Sequence, residues 1–272
     1  MTGMGTMTKQ STSIFIALLL LLTGVGAAQA AEPDLSSLTY VTQLPPELPR
    51  RVNALGYDGE KLWALIYMDH GSYATLDPST SEWTINHDLQ HQRVIAEIAG
   101  SVGSPGGVYF DKNTMWIAGA YGDSFGAIDT NSWKIQKQFK GKQQPYDWAS
   151  QSYADIAFDG TSLWVVWHWF RYKLPVTETE VLLKVDPETG NVLAQYPAPP
   201  GSQADEAHAL TWDGSKLWHM KDNKLTAIDP STGKFSATYI IPDIKRPTGL
   251  AWVNNALWIA EFDGKIWRLP FK

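Results

Sequence analysis

DGEKLW at 58–63, DKNTMW at 111–116, DGTSLW at 159–164, DGSKLW at 213–218 and VNNALW at 253–258 are five versions of one phrase: a tight turn, a hydrophobe and a tryptophan. The anchor residues Trp63, Trp116, Trp164, Trp218 and Trp258 lie 53, 48, 54 and 40 residues apart. Four of the repeats go on to a second landmark, Leu76-Asp77-Pro78, Ile128-Asp129-Thr130, Val185-Asp186-Pro187 and Ile228-Asp229-Pro230, where the chain turns again. A period of that size, made of short strands and tight turns, builds one four-stranded sheet per repeat, and such sheets stack radially. The expected fold is therefore all-β, a five-bladed β-propeller of four-stranded antiparallel blades.

The fifth repeat is short of a strand. Lys265 to Leu269 supplies a third one, and only Pro270 to Lys272 follow. At the other end Leu38 to Leu44 (LTYVTQL) alternates in the strand manner before the first repeat begins. This N-terminal strand is expected to close the last blade, which removes the free junction between first and last blades.

Residues 1–30 read as a secretory signal peptide. Lys9 precedes the apolar run Ile14 to Leu22, and Ala28-Gln29-Ala30 is a small-x-small cleavage site. The nine-residue run is too short for a membrane-spanning helix. Residues 31–272 then form a single propeller domain, expected to be secreted or periplasmic, with no membrane insertion after cleavage, and a monomer.

The chain has no cysteine, so disulfides, thiolate metal sites and cysteine nucleophiles are excluded. With 22 basic against 28 acidic residues and no basic run, nucleic acid is not an expected partner. The 13 tryptophans have a simpler use, since rings of that size bury the apolar area a cysteine-free ring needs.

Turn chemistry accounts for the repeated acids. In Asp58-Gly59, Asp159-Gly160 and Asp213-Gly214 the glycine takes a positive φ and the aspartate caps nearby amides. Asp77, Asp129, Asp186 and Asp229 recur for the same geometric reason, and the anchor tryptophans pack between blades. Functional residues should instead stand where one repeat departs from its siblings. At the start of the innermost strand four repeats place a small residue, Ala54, Gly107, Ala209 and Gly249, and the third places Asp155. One position earlier stand Asn53, Gly106, Ala154, His208 and Thr248; two before that, Arg51, Ser104, Ser152, Glu206 and Arg246. Three residues past the tryptophans stand Ile66, Gly119, Trp167, Lys221 and Glu261. The turns between second and third strands open on the same face as these strand starts, so one mouth of the channel collects the unusual polar groups.

The third repeat enlarges that face. From Trp164 to Asp186 is 22 residues, against 14, 13 and 11 in the first, second and fourth repeats. The added stretch opens with Trp167-His168-Trp169-Phe170-Arg171-Tyr172. Trp167, Trp169 and Tyr172 could stack on a sugar or heterocycle, with Arg171 for an anion; an extended hairpin laying its aromatics on the next blade fits the same residues. Asn53 and Arg246 complete the candidate ligand-binding rim.

Glu206-Ala207-His208 is the sharpest chemical candidate, because strand alternation points both side chains one way. A carboxylate oxygen and a ring nitrogen suit a divalent cation, magnesium or calcium, with a third ligand from Asp155, Asp222 or Glu261. A solvated Glu206 beside a hydrogen-bonded His208 is the simpler explanation of the pair. The repeat phrase, together with LWIAEFDGKIWRL at 257–269 and IDPSTGK at 228–234, resembles the streptogramin (virginiamycin B) lyase group, and glutamine cyclotransferase-like propellers are similar. The lyase resemblance implies a magnesium site made of Glu-x-His at a strand start and a glutamate shortly after the tryptophan of the same blade. Glu206 and His208 match the first part; Lys221 stands at the second, and the equivalent acid of the following blade is Glu261. Two functions stay open. One is a recognition module for a small molecule, glycan or protein. The other is a metal-assisted lyase or hydrolase in which His208 or Asp155 moves a proton.

Overall fold

The structure, a computed structural model, describes residues 31–49, 51–67, 69–100, 104–120, 124–140, 149–171, 178–199 and 208–272. Within its third sheet the side chains described run over 153–168 and from 180 onward. Residues 1–30, the expected signal segment, lie outside this set, and the compact unit spans Glu32–Lys272.

Five antiparallel sheets of four strands make up the unit. The first holds β2 (Val52–Tyr57), β3 (Leu62–Ile66), β4 (Tyr73–Leu76) and β5 (Trp83–Ile85); the second holds β6 (Pro105–Asp111), β7 (Thr114–Gly119), β8 (Ser124–Asp129) and β9 (Lys134–Lys140). The third is β10 (Ala149–Phe158), β11 (Leu163–Arg171), β12 (Glu178–Val185) and β13 (Val192–Pro197). The fourth is β14 (Ala209–Trp212), β15 (Leu217–Lys221), β16 (Lys224–Ile228) and β17 (Phe235–Ile240). The fifth joins β18 (Pro247–Val253), β19 (Ala256–Glu261) and β20 (Lys265–Pro270) to β1 (Thr39–Gln43). The innermost strands touch in the cyclic order β2, β6, β10, β14, β18 and back to β2. The protein is a five-bladed β-propeller, as the repeats require.

Closure follows the expected route. β1 pairs antiparallel with β20, Thr39 opposite Arg268 and Tyr40 opposite Trp267. The Tyr40 and Trp267 rings meet edge to face at 5.5 Å. The seal extends past the strand, because Glu32 and Lys272 exchange backbone hydrogen bonds of 3.2 and 2.9 Å, and Lys272 Nζ lies 2.7 Å from Asp34.

The repeated phrase is a turn tied to its own tryptophan. Asp58, Asp159 and Asp213 each accept two backbone amides on Oδ1 and the indole N–H five residues later on Oδ2, at 2.6, 2.7 and 2.7 Å. That bond satisfies the only polar atom of a ring that must be buried between blades. Trp164 and Trp218 are almost wholly enclosed. Blades 2 and 5 use two-residue turns instead, Lys112-Asn113 and Asn254-Asn255, and their tryptophans sit in the same interfaces. The second set of acids works likewise: Asp77 and Asp229 accept the hydroxyls of Ser79 and Ser231, all four of Asp77, Asp129, Asp186 and Asp229 accept amides two and three residues on, and these bonds hold their carboxyls below the usual range.

One element stands outside the repeat. Helix α1 (Leu89–Ala99) links blade 1 to blade 2, started by Asp88, whose side chain accepts from the amides of Gln90 and His91 at 2.8 and 3.2 Å. Its buried face, Ile95, Ile98 and Ala99, packs on blades 1 and 2.

Candidate functional site

The longer interval after Trp164 is an extended hairpin. β10, β11 and β12 have 10, 9 and 8 residues, and pairing runs as far as Arg171 opposite Ala149 and Phe170 opposite Glu178. Strand alternation therefore divides the aromatic run. Val165 and Trp167 face blade 2, while Trp164, Val166 and His168 face blade 4.

On the blade 4 side lies a cluster of ionisable groups with almost no solvent contact. His168 on β11 and Glu180 on β12 are directly opposed. From blade 4 come His208, just before β14, and His219 and Lys221 on β15. His168, His208, His219 and Lys221 are each 1% exposed or less, and the Glu180 side chain is 16% exposed. His208 Nε2 lies 3.2 Å from Glu180 Oε1, His208 Nδ1 lies 2.9 Å from His219 Nε2, and the Lys221 ammonium donates to the same Glu180 oxygen. The His168 ring stands 6.4 Å from that of His208.

Burial and charge pull these groups in opposite directions. Burial alone would raise Glu180, but the hydrogen bond and charge of His208, then those of Lys221, bring its carboxyl down to about 2. Burial lowers His168 to about 4, against the pull of Glu180, and burial drives His219 well below the imidazole range. A carboxylate can only accept, so His208 donates through Nε2, and His208 Nδ1 and His219 Nε2 share one further hydrogen. His219 Nδ1 ends the chain with no hydrogen-bond partner among the described residues.

Such an arrangement can hold a carboxylate ionised at the solvent edge and exchange a proton between Glu180 and His208. The imidazoles themselves are covered. Glu180 is the member that solvent reaches, at the end of the blade where the second and third strands join and where the chain starts the next inner strand.

The blade 2 side of β11 carries a cleft of about 540 Å³. Phe125, Tyr153, Val165, Trp167, Leu183 and Val185 supply its apolar lining, with Lys140, Asn191 and Gln195 as polar groups. That volume falls in the range of small-molecule sites.

The remaining expected residues have other engagements. Asp155 is enclosed, and its carboxylate accepts from the amides of Leu210 (2.5 Å) and Ile156 (2.7 Å) and from that of Val108. It thereby ties the inner strands of blades 2, 3 and 4, and a Cβ on the neighbouring Gly107 would collide with it. Burial raises its carboxyl well above the ordinary value. Glu261 accepts from the amides of Lys245 (2.7 Å) and Arg246 (3.3 Å) on one oxygen and from the Trp267 indole (2.7 Å) on the other. Asn53 donates to the Pro105 carbonyl, a link from blade 1 to blade 2. The Arg246 guanidinium lies 4.0 Å from the Phe262 ring centre. Glu206 and Tyr172 lie outside the described residues, as do the side chains of Trp169 and Arg171. Among the described residues no group of three or more His, Asp or Glu is placed to hold a metal ion.

Of the expected residues the structure thus unites His208 with Lys221 and His168, and adds Glu180 and His219. Spacing alone does not bring those two forward, since Glu180 enters only through the register of the extended hairpin. The available signal was the pair of His208 and His219 flanking one strand pairing, downstream of an insertion that itself contains His168.

No protein-family profile and no curated protein sequence matches the chain. Among solved structures it is similar to selenomethionine-substituted virginiamycin B lyase from Staphylococcus aureus, at 13% identity and a TM-score of 0.49, over 86% of this chain and 98% of that one. Nothing about activity follows from a likeness of that degree.

Proposed function

We propose that the protein is an exported recognition module that binds a small molecule, glycan or protein segment on the face where Glu180 reaches solvent. The observation that carries this reading is the enclosed His168, His208, His219 and Lys221 cluster behind a single ionised carboxylate. Burying a lysine and three imidazoles costs stability unless they are paired, and a propeller interface is more simply filled with Leu and Val. What the cluster gains is a preorganised acceptor, its rotamer fixed from behind, suited to hydroxyl or ammonium donors. Trp167, one residue from His168 and on the other side of β11, offers an aromatic wall to the same blade. Export rests on the apolar run and cleavage pattern of residues 1–30; among the described residues no helix is long and apolar enough to cross a membrane. A glycan array and a fragment screen of wild type, Glu180→Gln and Trp167→Ala, each checked for folding by urea titration, test the reading. At least one ligand class should weaken about tenfold or more on loss of the charge-assisted bond; binding profiles identical in all three proteins would overturn it.

The hydrogen-bonded Glu180 and His208 favour one alternative, a lyase or hydrolase in which His208 moves a proton at the substrate oxygen; the expected divalent cation at Glu206 and His208 would bind only if His208 gave up one of its two ring-nitrogen bonds. Calorimetric titration with magnesium, calcium and manganese tests this second reading; no binding, or binding unaltered by Glu206→Ala with His208→Ala, removes it.

A further inference from the structure

The opposite mouth of the channel is also built as a site. At the ends of β2, β6, β14 and β18, where the phrase-forming turns lie, a second cleft of about 500 Å³ opens. Four half-buried aromatic residues, Tyr57, Tyr109, Trp212 and Trp252, line it. Its charged members are Asp58, Asp213 and Lys112, the last on an exposed turn.

The two acids and Tyr57 have little capacity left for directional bonding. Asp58 already accepts the amides of Glu60 and Lys61 and the Trp63 indole. Asp213 accepts the amides of Ser215 and Lys216, the Ser215 hydroxyl and the Trp218 indole. A carboxylate offers about four lone-pair positions, so three or four are taken in each case. The Tyr57 hydroxyl donates to the Gly59 carbonyl at 2.6 Å. A sugar or an amide, which must be read through matched donors and acceptors, finds few acceptors here. The negative charge and the ring faces remain, and both act without directional bonds.

We propose that this turn-side mouth binds a soluble quaternary ammonium compound, a cation that donates no hydrogen bond and is held by ring faces and the field of Asp58 and Asp213. Lys112 opposes that field, so the site should strengthen when its charge is removed. This inference is independent of the Glu180 face, which lies at the other end of the inner strands.

The test is titration of the purified chain with tetramethylammonium at constant ionic strength, followed by tryptophan fluorescence and calorimetry, with ammonium chloride as the matched salt. Saturable binding of tetramethylammonium and none of ammonium is expected. Trp212→Leu and Tyr109→Ala should each weaken it about tenfold, and Lys112→Ala should tighten it about two- to fivefold. Trp167→Ala, at the far face, should leave it unchanged. Lys112→Ala keeps the test decisive if an aromatic variant fails to fold, because Lys112 lies on an exposed turn. Absence of saturable binding, equal response to ammonium, or no change in Lys112→Ala overturns the proposal.

Discussion

Acidification should unlock the junction of blades 3 and 4 before it disturbs the rest of the ring. His168 has an ordinary imidazole value of 6.5 and is held at about 4 in the fold by burial. An unfolded chain therefore takes up a proton between those limits that the folded chain refuses, so stability falls as pH drops through that window. Each tenfold difference in proton affinity between the two states is worth about 1.4 kcal/mol, so lowering the pH from 7 to 4.5 costs roughly 2–3 kcal/mol through His168 alone. His219, also driven down by burial, adds a loss of the same sign. With a urea slope of about 2–3 kcal/mol per molar for a chain of this size, the His168 part is a midpoint change of about 1 M. Urea unfolding followed by tryptophan fluorescence at both pH values, in wild type and His168→Leu, isolates it. The variant should lose about 2–3 kcal/mol less than wild type between pH 7 and 4.5. The same pH dependence in both proteins would refute the assignment of a buried neutral imidazole at that position.

Glu180 titrates lower, and its contribution is lost with the same sign. Its folded value of about 2 lies below the ordinary 4.5, so its contribution is complete above 4.5 and is lost as pH falls towards 2. Glu180→Gln at pH 7 leaves Lys221 enclosed without its carboxylate and should cost about 3–5 kcal/mol by urea titration, a loss that Lys221→Met in the same chain should largely restore. Asp159→Ala removes the acceptor of the Trp164 indole and of two turn amides, and should cost about 2–4 kcal/mol. The sibling change Asp111→Ala falls in a turn whose aspartate makes no side-chain hydrogen bond among the described residues, and should cost under about 1 kcal/mol; equal losses at the two positions would refute the turn-to-tryptophan tie.

The ring was legible because its causes are local. An aspartate, a turn and a tryptophan five residues on form a closed unit, so its recurrence in sequence reports its recurrence in space. The closing strand was legible for a related reason, since Lys265 to Leu269 left a sheet edge with no later partner and Leu38 to Leu44 had no other sheet to join. Glu180 was not. Its meeting with His208 depends on how far the hairpin of β11 and β12 extends and on which side of β11 each residue points, and neither is set by spacing from an anchor. Asp155 shows the converse: its departure from a column of small residues was visible, and its cause is a backbone tie across three blades. Helix α1 carries its own signals, Asp88 at the start and Ile95 with Ile98 on one face, yet it lies between repeats and has no counterpart to be compared with.

Cross-linking tests the sealed ring most directly, because the chain has no cysteine of its own. Thr39 and Arg268 are register partners across β1 and β20. With both replaced by cysteine, oxidation should form a bond within one molecule. It should also raise the stability of the folded state by about 5 kcal/mol, as expected for a loop of more than about 100 residues. Thiols that stay free under oxidation, or that pair only between molecules, would contradict the ring.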